Sequence, residues 1–416
     1  MVCLLLPAAG GLSAERLFPF QALFSCLPPS LPATAHELCY NGGMTDKQSA
    51  YARAGVDIDA ATDAVGRMKS HIQTTLTSGV LTDVGSFGGM FALSALGALQ
   101  DPVLVSSIDG VGTKLMIAFA TGRHGTVGRD LVWHCVNDIL VQGARPLFFL
   151  DYLGVGKVEP EVAEAVVAGL AEGCRTVGCA LVGGETAEMP ALYAPGEYDL
   201  AGCIVGIVER ARIIDGSVVR EGDVLLGLAS DGLHTNGYSL ARQALLRDAK
   251  MALDTPQPAL DGVTLADALL APHRCYAPAV LPLLSELSAP PPVSAVQNGG
   301  RRHSDRTHAS SHSPIHAMAH ITGGGFWDNI PRVLPPGIGV QINKSAWDVP
   351  PLFRLIQQAG AVSEDEMFRV FNMGIGYVLL VAPESAEDVL ARLQDAGERV
   401  YRLGQAAAGQ GVTFID

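Results

Sequence analysis

Hydrophobic and polar positions along the chain follow two periods, one typical of helices and one typical of buried strands. In residues 57–78, apolar side chains recur every three or four positions, which predicts an amphipathic helix. Short apolar runs that end at glycine, proline or an acid predict strands at 103–105, 146–153, 180–188, 199–209 and 223–229. Helical patterns at 126–143 and 161–174 separate some of these runs. We therefore predict a mixed α/β (α+β) fold.

The same patterns divide the chain into domains. A length of 416 residues with 48% hydrophobic content suffices for two cores. We predict an N-terminal domain over 44–211, built on a mixed sheet with helices, and a C-terminal α/β sandwich domain over 212–416.

Two segments fit neither period. We expect residues 1–43 to be a disordered extension, with the functional chain starting at Met44; a secretory signal is the alternative, but no basic leader precedes the apolar run. Residues 289–316 are rich in proline, serine and glycine and predict a disordered, solvated insertion. Its histidines could hold only a stray metal ion: His303, His308, His312 and His316.

The composition of the chain argues against several classes of binding partner. The formal net charge of −14 argues against a nucleic-acid or anionic-membrane binder, because neutralising phosphates needs surplus lysine and arginine. No apolar run approaches the roughly 18 residues that cross a bilayer. The cysteines after the extension have no CxxC spacing, and we expect reduced packing residues of a cytoplasmic protein. They are Cys135, Cys174, Cys179, Cys203 and Cys275.

Candidate chemistry begins at the end of the first predicted strand. Asp109 ends this strand and could hold a divalent cation. Residues suited to a phosphate follow it, namely Gly110, Gly112, Thr113 and Lys114. The glycines let backbone amides approach an anion, and the lysine neutralises charge. The plain alternative is a strand, a tight turn and a helix N-terminus with a solvated lysine.

Acids recur at later strand ends, as Asp151 and Glu185. Several carboxylates meeting at one sheet edge would repel one another unless a cation lay among them. Helix 126–143 also carries polar residues on one side of an apolar surface: Asp130, His134, Asn137 and Asp138. Either they cap neighbouring loops or they coordinate metal and phosphate, and with Asp109 nearby in sequence we favour the second.

The second half repeats the arrangement of strand, glycine-rich turn and helix. The turn SDGLHTNGYSLAR carries His234 and Asn236 to a helix N-terminus, where free amides bind phosphate. His234 could otherwise be a plain turn residue. Three glycines follow a later strand: Gly323, Gly324 and Gly325. The chain contains no P-loop, no well-placed dinucleotide fingerprint and no nucleophile signature, so the acids and glycines suggest a metal–nucleotide site.

Six motifs together resemble the phosphoribosylformylglycinamidine cyclo-ligases (aminoimidazole ribonucleotide synthetases) of purine synthesis: DGVGTK, GRDLVWHCVNDILVQGARPLFFLDY, LVGGETAEMP, HTNGYSL, HITGGGFWDNIPRVLP and FNMGIGY. The resemblance runs from about Tyr51 to the C-terminus, apart from the insertion. It implies that ATP phosphorylates the amide oxygen of formylglycinamidine ribonucleotide, after which nitrogen attack closes the ring. It also implies a homodimer with ATP in the N-terminal domain near the interface, a requirement for Mg²⁺, and K⁺ as a candidate second ion.

The resemblance also assigns roles to residues. Asp109, Asp138 and Glu185 would organise metal and phosphate, with Asp130 and Asn137 beside them. Lys69 and Lys114 would face the ATP phosphates, next to Gly110, Gly112 and Thr113. His234 and Asn236 would act at the substrate or the transferring phosphate, and Gly323, Gly324 and Gly325 would hold the substrate phosphate. Asp109, Lys69, His234 and Asn236 are the catalytic candidates.

Two residues depart from the family pattern. Asp231 puts a charge where a small or neutral residue is expected, and His134 replaces a residue that is commonly apolar. The alternatives are a sister enzyme, such as selenophosphate synthetase or thiamine-phosphate kinase, and a nucleotide-binding scaffold without turnover. Selenophosphate synthetase needs a reactive cysteine near the glycine-rich loop, but no cysteine lies between Cys39 and Cys135 in this chain. Thiamine-phosphate kinase lacks the GGGFWDNIPR and FNMGIGY motifs.

Overall fold

A four-stranded mixed sheet covered by helices forms from the first half of the chain. The computed structural model describes residues 58–84, 86, 88–287 and 313–415. The elements of this half are α1 (Ile58–Gln73), β1 (Pro102–Gly110), α2 (Leu115–Thr121), α3 (Val127–Leu140), β2 (Arg145–Val155), α4 (Pro160–Val177), β3 (Ala180–Glu188) and β4 (Tyr198–Glu209). Every helix and strand predicted here is confirmed, with α1 ending five residues before the predicted 78.

The strand order is β1-β4-β2-β3, with β2 and β3 parallel and the other pairs antiparallel. Helix α3 packs on β1, β2 and β4, and α4 packs on α3. Large apolar side chains remain exposed on the opposite face, among them Leu104, Ile108, Leu150 and Tyr152. One face of the sheet is therefore core, and we call the other the open face.

The second half of the chain forms a six-stranded sheet. Its elements are β5 (Val224–Ala229), α5 (Tyr238–Arg242), α6 (Leu265–Leu269), α7 (Ala277–Leu287), β6 (Ile315–His320), α8 (Gly325–Asn329), β7 (Ile338–Asn343), α9 (Pro351–Gly360), α10 (Glu364–Val370), β8 (Ile375–Val381), α11 (Ala386–Asp395), β9 (Val400–Ala408) and β10 (Gly411–Ile415). The order is β10-β7-β9-β5-β8-β6, with only β10 and β7 parallel among neighbours. Strands β5 and β8 are buried along their whole length and form the centre of this core. The two sheets with their helices confirm the predicted mixed α/β class.

The sequence predicted some helices and strands of this half and missed others. The sequence predicts a buried strand within 371–382, a helix over 384–396 and closing strands near Tyr401 and Val412, and the structure confirms these as β8, α11, β9 and β10, together with the predicted β5 and β6. Helix α9 and strand β7 were not predicted, because proline and glycine interrupt their short patterns, and helix α10 was not predicted either.

The predicted insertion, 289–316, lies mostly outside the described residues. Its C-terminal boundary was placed too late, because strand β6 already begins at Ile315. His316 belongs to this strand and pairs with buried Asp223, with 2.6 Å between Nδ1 and Oδ2. It is therefore a structural residue rather than part of a solvated histidine tract. The predicted extension, 1–43, lies entirely outside the described residues.

Within the described ranges, all five cysteines are free thiols. Cys135, Cys174 and Cys179 are buried and the other two are partly buried, as expected of packing residues. Among the helices that the structure describes, none combines the length and the apolar character needed to span a bilayer.

Candidate active site

The centre of the site is a cluster of carboxylates and imidazoles between β1, α3 and β6. Asp109 lies near the end of β1, and its Oδ2 is 2.8 Å from Nε2 of His134 on α3. One helical turn later, Oδ2 of Asp138 lies 3.8 Å from the same nitrogen. Two carboxylates therefore lie close to one imidazole nitrogen, and the role of Asp109 and Asp138 toward metal and phosphate stays a prediction.

Asp138 has two further partners. Nδ1 of His320, near the end of β6, is 2.8 Å from Oδ1, and the Ser107 hydroxyl donates to Oδ2 at 2.9 Å. Burial alone raises the pKa of Asp138, but the hydrogen bond and charge of His320, with His134 and Ser107, lower it to about 2. Asp138 is therefore a fixed negative charge at neutral pH.

Asp109 and His134 form a charged pair. Burial raises the pKa of Asp109, but the hydrogen bond with His134 outweighs it and leaves the pKa below its usual value. Burial lowers the pKa of His134, but Asp109 and Asp138 together raise it. The Asp109 side chain is 45% exposed, so its carboxylate is open to a ligand from solvent.

Two further histidines complete a cluster of four rings. His273 packs between His234, at 3.9 Å between ring centroids, and His320, at 5.1 Å. Burial, and then the neighbouring positive charges, hold the pKa of His234 and of His273 well below the usual value. Both rings are therefore neutral at pH 7. His234 also has a positive φ of 61°, which is uncommon for a residue other than glycine and typical of functional turns.

The two predicted phosphate loops of the second half lie side by side. Gly323 follows β6, and a Cβ built on it would lie 3.1 Å from Oδ1 of Asn236. Gly324 and Gly325 have positive φ values of 92° and 58°, which suit glycine, and the Gly325 amide donates to the Thr322 carbonyl oxygen at the start of α8. The structure thus brings Asn236 to the glycine loop.

The DGVGTK segment contacts the same region from the first half. The Thr113 and Ser239 hydroxyls are 3.2 Å apart, which joins this segment to the start of α5. Gly112 has a φ of 65°, and a Cβ there would meet open space, so only its backbone conformation requires glycine. Gly110 donates its amide to the Asp109 carboxylate at 2.6 Å.

Lys114 has a different environment from the one that the sequence suggested. It is fully buried, with Nζ 2.6 Å from Oδ2 of Asp130 and 2.8 Å from the Ala271 carbonyl oxygen. Burial is the main influence on both groups, and it lowers the pKa of Lys114 and raises that of Asp130. Contact of either residue with ATP stays a prediction.

Asp130 and Asn137 hold an irregular segment, 271–276, that links α6 to α7. Asp130 accepts the His273 amide at 2.6 Å. Asn137 donates to the Arg274 carbonyl oxygen at 2.8 Å and accepts the Tyr276 amide at 3.1 Å. The polar side of α3 therefore divides into residues that cap a neighbouring loop, Asp130 and Asn137, and residues that face Asp109, for which metal or phosphate coordination stays a prediction.

Glu185 and Asp151 lie on opposite faces of the first sheet. Asp109 and Asp151 both pair with Gly202, and Asp151 pairs with Gly184, so the two aspartates share the covered face. Because side chains alternate along a strand, Glu185 lies on the open face beside Tyr152. Within one protomer, Glu185 is therefore separated from Asp109 and Asp138.

Lys69 lies on α1, half exposed, with Nζ 3.6 Å from Asp83. The unexpected charge of Asp231 is neutralised by Arg274, at 3.0 Å between carboxylate and guanidinium. The sequence analysis did not identify His273, His320 or Ser107 as site residues. One signal could have found His320, because it directly precedes the motif ITGGG.

Carboxylate oxygens are the ligands that Mg²⁺ prefers. Asp109 and Asp138 each bring an oxygen within 4 Å of one nitrogen, and Asp109 opens to solvent. The residues at this position therefore fit a magnesium ion.

Family models match both halves of the chain. The model described as AIR synthase related protein, N-terminal domain, matches residues 94–208, and its C-terminal counterpart matches 220–289 and 302–416. The fold and the site therefore define an AIR synthase related protein.

Relatives with assigned names identify the family within this class. A phosphoribosylformylglycinamidine cyclo-ligase of Bacillus mycoides (strain KBAB4) is 50% identical over 368 residues, covering 88% of this chain and 98% of the relative. The enzyme of the same name from Bacillus cytotoxicus is 50% identical over 366 residues, covering 88% and 97%. The chain belongs to the phosphoribosylformylglycinamidine cyclo-ligase family.

More distant solved structures share the fold. Thiamine-monophosphate kinase from Stenotrophomonas maltophilia K279a aligns with a TM-score of 0.57 at 16% identity, over 85% of this chain and 95% of that one. The hydrogenase maturation protein HypE in complex with ATP aligns with a TM-score of 0.55 at 16% identity, over 84% and 90%. At such identities the likeness concerns the fold alone.

Proposed function

We propose that the chain converts formylglycinamidine ribonucleotide to 5-aminoimidazole ribonucleotide, with ATP consumed to ADP and phosphate, as an ATP-dependent ligase of purine biosynthesis. The observation that carries this proposal is the 50% identity to named cyclo-ligases over nearly their whole length. The site agrees with it, since Asp109, Asp138, Asn236 and Gly323 come from separate motifs and meet in one region.

The reaction consists of two displacements. The γ-phosphoryl group moves from ATP to the amide oxygen of the substrate, and ADP leaves. The amidine nitrogen then forms a C–N bond to the activated carbon, the C–O bond breaks, and phosphate leaves as the nitrogen loses a proton. The first displacement needs charge neutralisation and positioning, and the second needs mainly orientation.

Each group of residues has a place in this scheme. Asp109 and Asp138 hold Mg²⁺, which neutralises phosphate charge when bound. Gly110, Gly112 and Thr113 present backbone and hydroxyl donors to ATP, and Lys69 adds a positive charge. His234 and Asn236 position the transferring phosphate, and the amides of Gly323–Gly325 hold the substrate phosphate. The similar fold of HypE, described in complex with ATP, supports nucleotide binding, and K⁺ remains a candidate second ion.

We also propose a homodimer in the cytoplasm. Ile108, Cys203 and Leu150 form one row across the open face, and Ile108 is 67% exposed. Apolar side chains grouped on an uncovered sheet face mark a protein interface. A second copy on this face would also bring the partner's groups near Glu185, which supports a role for Glu185 in a site shared between protomers. The free thiols fit a reducing compartment.

The decisive measurement follows ADP and aminoimidazole product from the purified protein with Mg²⁺, with and without formylglycinamidine ribonucleotide. We expect ADP release that depends on the substrate and matches product one for one. ATP binding without turnover would instead favour a nucleotide-binding scaffold, and turnover with another acceptor would favour a sister kinase.

Site variants test the residue assignments. We expect Asp109→Ala and Glu185→Ala to abolish turnover. Neither variant should unfold, because both side chains lie at the surface and their removal leaves no cavity. Far-UV circular dichroism and melting temperature check the fold, and Glu161→Ala on the exposed surface of α4 is the matched control. Normal turnover in either site variant would contradict the assignment of that residue.

A further inference from the structure

Three histidines from separate segments converge in the second half of the chain. His234 lies in the turn after β5, His273 in segment 271–276, and His320 near the end of β6. Each ring is buried, with at most 5% of the residue exposed. Each offers one ring nitrogen, and these nitrogens all lie within 4.8 Å of one another. Imidazole nitrogens gathered in this way are a ligand set for a borderline or soft metal ion.

The spacing of two rings matches that of neighbouring ligands on one ion. Nε2 of His273 and Nε2 of His320 are 3.1 Å apart, with ring centroids 5.1 Å apart. Zinc–nitrogen bonds of about 2.0–2.1 Å in tetrahedral geometry place two ligand nitrogens roughly 3.3 Å apart. These two nitrogens therefore need almost no movement to accept a common ion.

His320 is already oriented as a metal ligand. Its Nδ1 is hydrogen-bonded to Oδ1 of Asp138, which leaves Nε2 directed at His273. A carboxylate on the far nitrogen is the usual partner of a metal-ligating histidine, because it fixes the tautomer and the ring orientation. Asp138 would supply this support.

Two nitrogens of the cluster lack a hydrogen bond. Nδ1 of His234 and Nδ1 of His273 are buried and are without a partner in the described part of the chain. Buried polar atoms without partners are rare and call for an explanation. An ion on Nε2 of His273 leaves its Nδ1 unpaired, so the site explains only the His234 nitrogen, whose Nε2 already accepts the Arg274 amide. The His234 ring stacks on His273 with 3.9 Å between centroids, so it must turn about its side-chain bonds to become the third ligand.

We propose that His234, His273 and His320 bind one first-row transition-metal ion of the zinc class, with a fourth position left for water. This site rests on the proposed function, because His234 and Asp138 belong to the proposed active site, and it differs from the magnesium position, because its ligands are nitrogens rather than carboxylate oxygens. Asp138 links the two positions, so the ion would fix the orientation of a carboxylate of the active site. The competing explanation is that the rings bind only one another, through a proton shared by His273 and His320.

The test uses full-length protein stripped of metal with a chelator and titrated with Co²⁺, whose visible absorption reports four-coordinate nitrogen ligation. Competition with Zn²⁺ gives the affinity for zinc, with excess Mg²⁺ present throughout. His273→Gln removes one proposed ligand. His134→Gln is the matched control, because His134 is equally buried in the same cluster but directs its Nε2 to Asp109. His303, His308 and His312 are present in all three proteins and cannot produce a difference between them.

We expect one ion per protomer in the native protein and in His134→Gln, and an affinity lower by about 100-fold or more in His273→Gln. Equal affinity in His273→Gln, or no four-coordinate Co²⁺ spectrum in the native protein, would overturn the proposal. Loss of metal binding in His134→Gln alone would indicate that the ion is bound by His134, Asp138 and His320 instead, and this result would also overturn the proposal. Should His273→Gln fail to fold, X-ray absorption of the native protein with one equivalent of Zn²⁺ decides: three imidazole ligands support the site, and oxygen ligands alone refute it.

Discussion

The ion pair of Lys114 and Asp130 is fully removed from solvent, and its lysine also donates to a backbone carbonyl of segment 271–276. Two buried charges are tolerated only when each satisfies the other, since desolvation costs several kcal/mol for each ion. The pair therefore stabilises the contact between the first and second halves of the chain as long as both partners are present.

We predict that Lys114→Met lowers the free energy of unfolding by about 3–5 kcal/mol, because it leaves the Asp130 carboxylate buried without a counter-charge. Urea denaturation at pH 7 measures the change. Lys69→Met is the control: its pair with Asp83 is exposed and 3.6 Å long, and such pairs contribute less than about 1 kcal/mol. The double variant Lys114→Met/Asp130→Asn keeps an acceptor for the His273 amide without the buried charge and should recover part of the loss, and failure to recover would point to a further role for Lys114.

The protonation of the Asp151 carboxyl group changes within the physiological pH range. Burial raises the pKa of Asp151 to about 7, and no opposite charge among the described residues compensates it. The unfolded value is near 3.9, so this group stabilises the fold most at low pH, and the stabilisation is lost as pH rises from about 4 through 7. We predict that Asp151→Asn raises the melting temperature relative to the native protein more at pH 8 than at pH 5. A difference that is constant across this range would contradict the raised pKa.

The sequence predicted individual side chains well where the chemistry is local. Asp109 and Asp138 both lie within 4 Å of Nε2 of His134, because β1 and α3 pack directly on each other, and their role toward a metal ion stays a prediction. His273 could not be found, because its neighbours His234 and His320 lie 39 residues earlier and 47 residues later in the chain. The burial of Lys114 could not be predicted either, since glycine-rich turns precede exposed and buried lysines alike.

At the scale of elements, helices α3 and α4 cross in close contact at glycines. A Cβ on Gly128 would overlap the Val166 carbonyl oxygen, and a Cβ on Gly169 would lie 2.6 Å from the Gly125 carbonyl oxygen. The backbones approach so closely that no side chain fits between them. This contact sets how deeply α3 sits on the sheet, and α3 carries His134 and Asp138.

We predict that Gly128→Ala destabilises the protein by about 1–3 kcal/mol, because the two helices must separate to admit one methyl group. Gly66→Ala is the matched control on α1, where a Cβ meets nothing within 4 Å. There the substitution should stabilise the helix by roughly 0.5–1 kcal/mol. Thermal and urea unfolding of both variants provide the measurement, and an equal effect at the two positions would refute the packing argument.

Elements with an unbroken period were predicted within a few residues, as α3 and β3 show. The exceptions have physical causes. Proline begins α9 and glycine ends it, and strand β7 includes Gly339, so neither has a long apolar run. The start of β6 was missed because only Ile315 marks it beyond a polar segment.

For the whole molecule, the open face is notable because it groups exposed apolar side chains such as Leu104, Ile108 and Leu150 on one side of the first sheet. We predict that Ile108→Glu converts a dimer to a monomer, because the row Ile108, Cys203 and Leu150 would then carry a buried charge at the interface. Sedimentation velocity gives the mass. Leu192→Glu is the control, since Leu192 is 69% exposed and lies outside the strands. A native protein that sediments as a monomer would refute the dimer itself.

Segment 271–276 has neither helix nor strand, yet three of its amides are bound by side chains. His273 donates to Asp130, Arg274 to His234 at 3.3 Å, and Tyr276 to Asn137. Amides in irregular backbone normally exchange their protons with solvent quickly, but those of His273 and Tyr276 can exchange only when α3 moves away from the segment. The deuterium uptake of these two amides would therefore report the rate at which the two halves of the chain separate, and ATP bound across both halves would slow it.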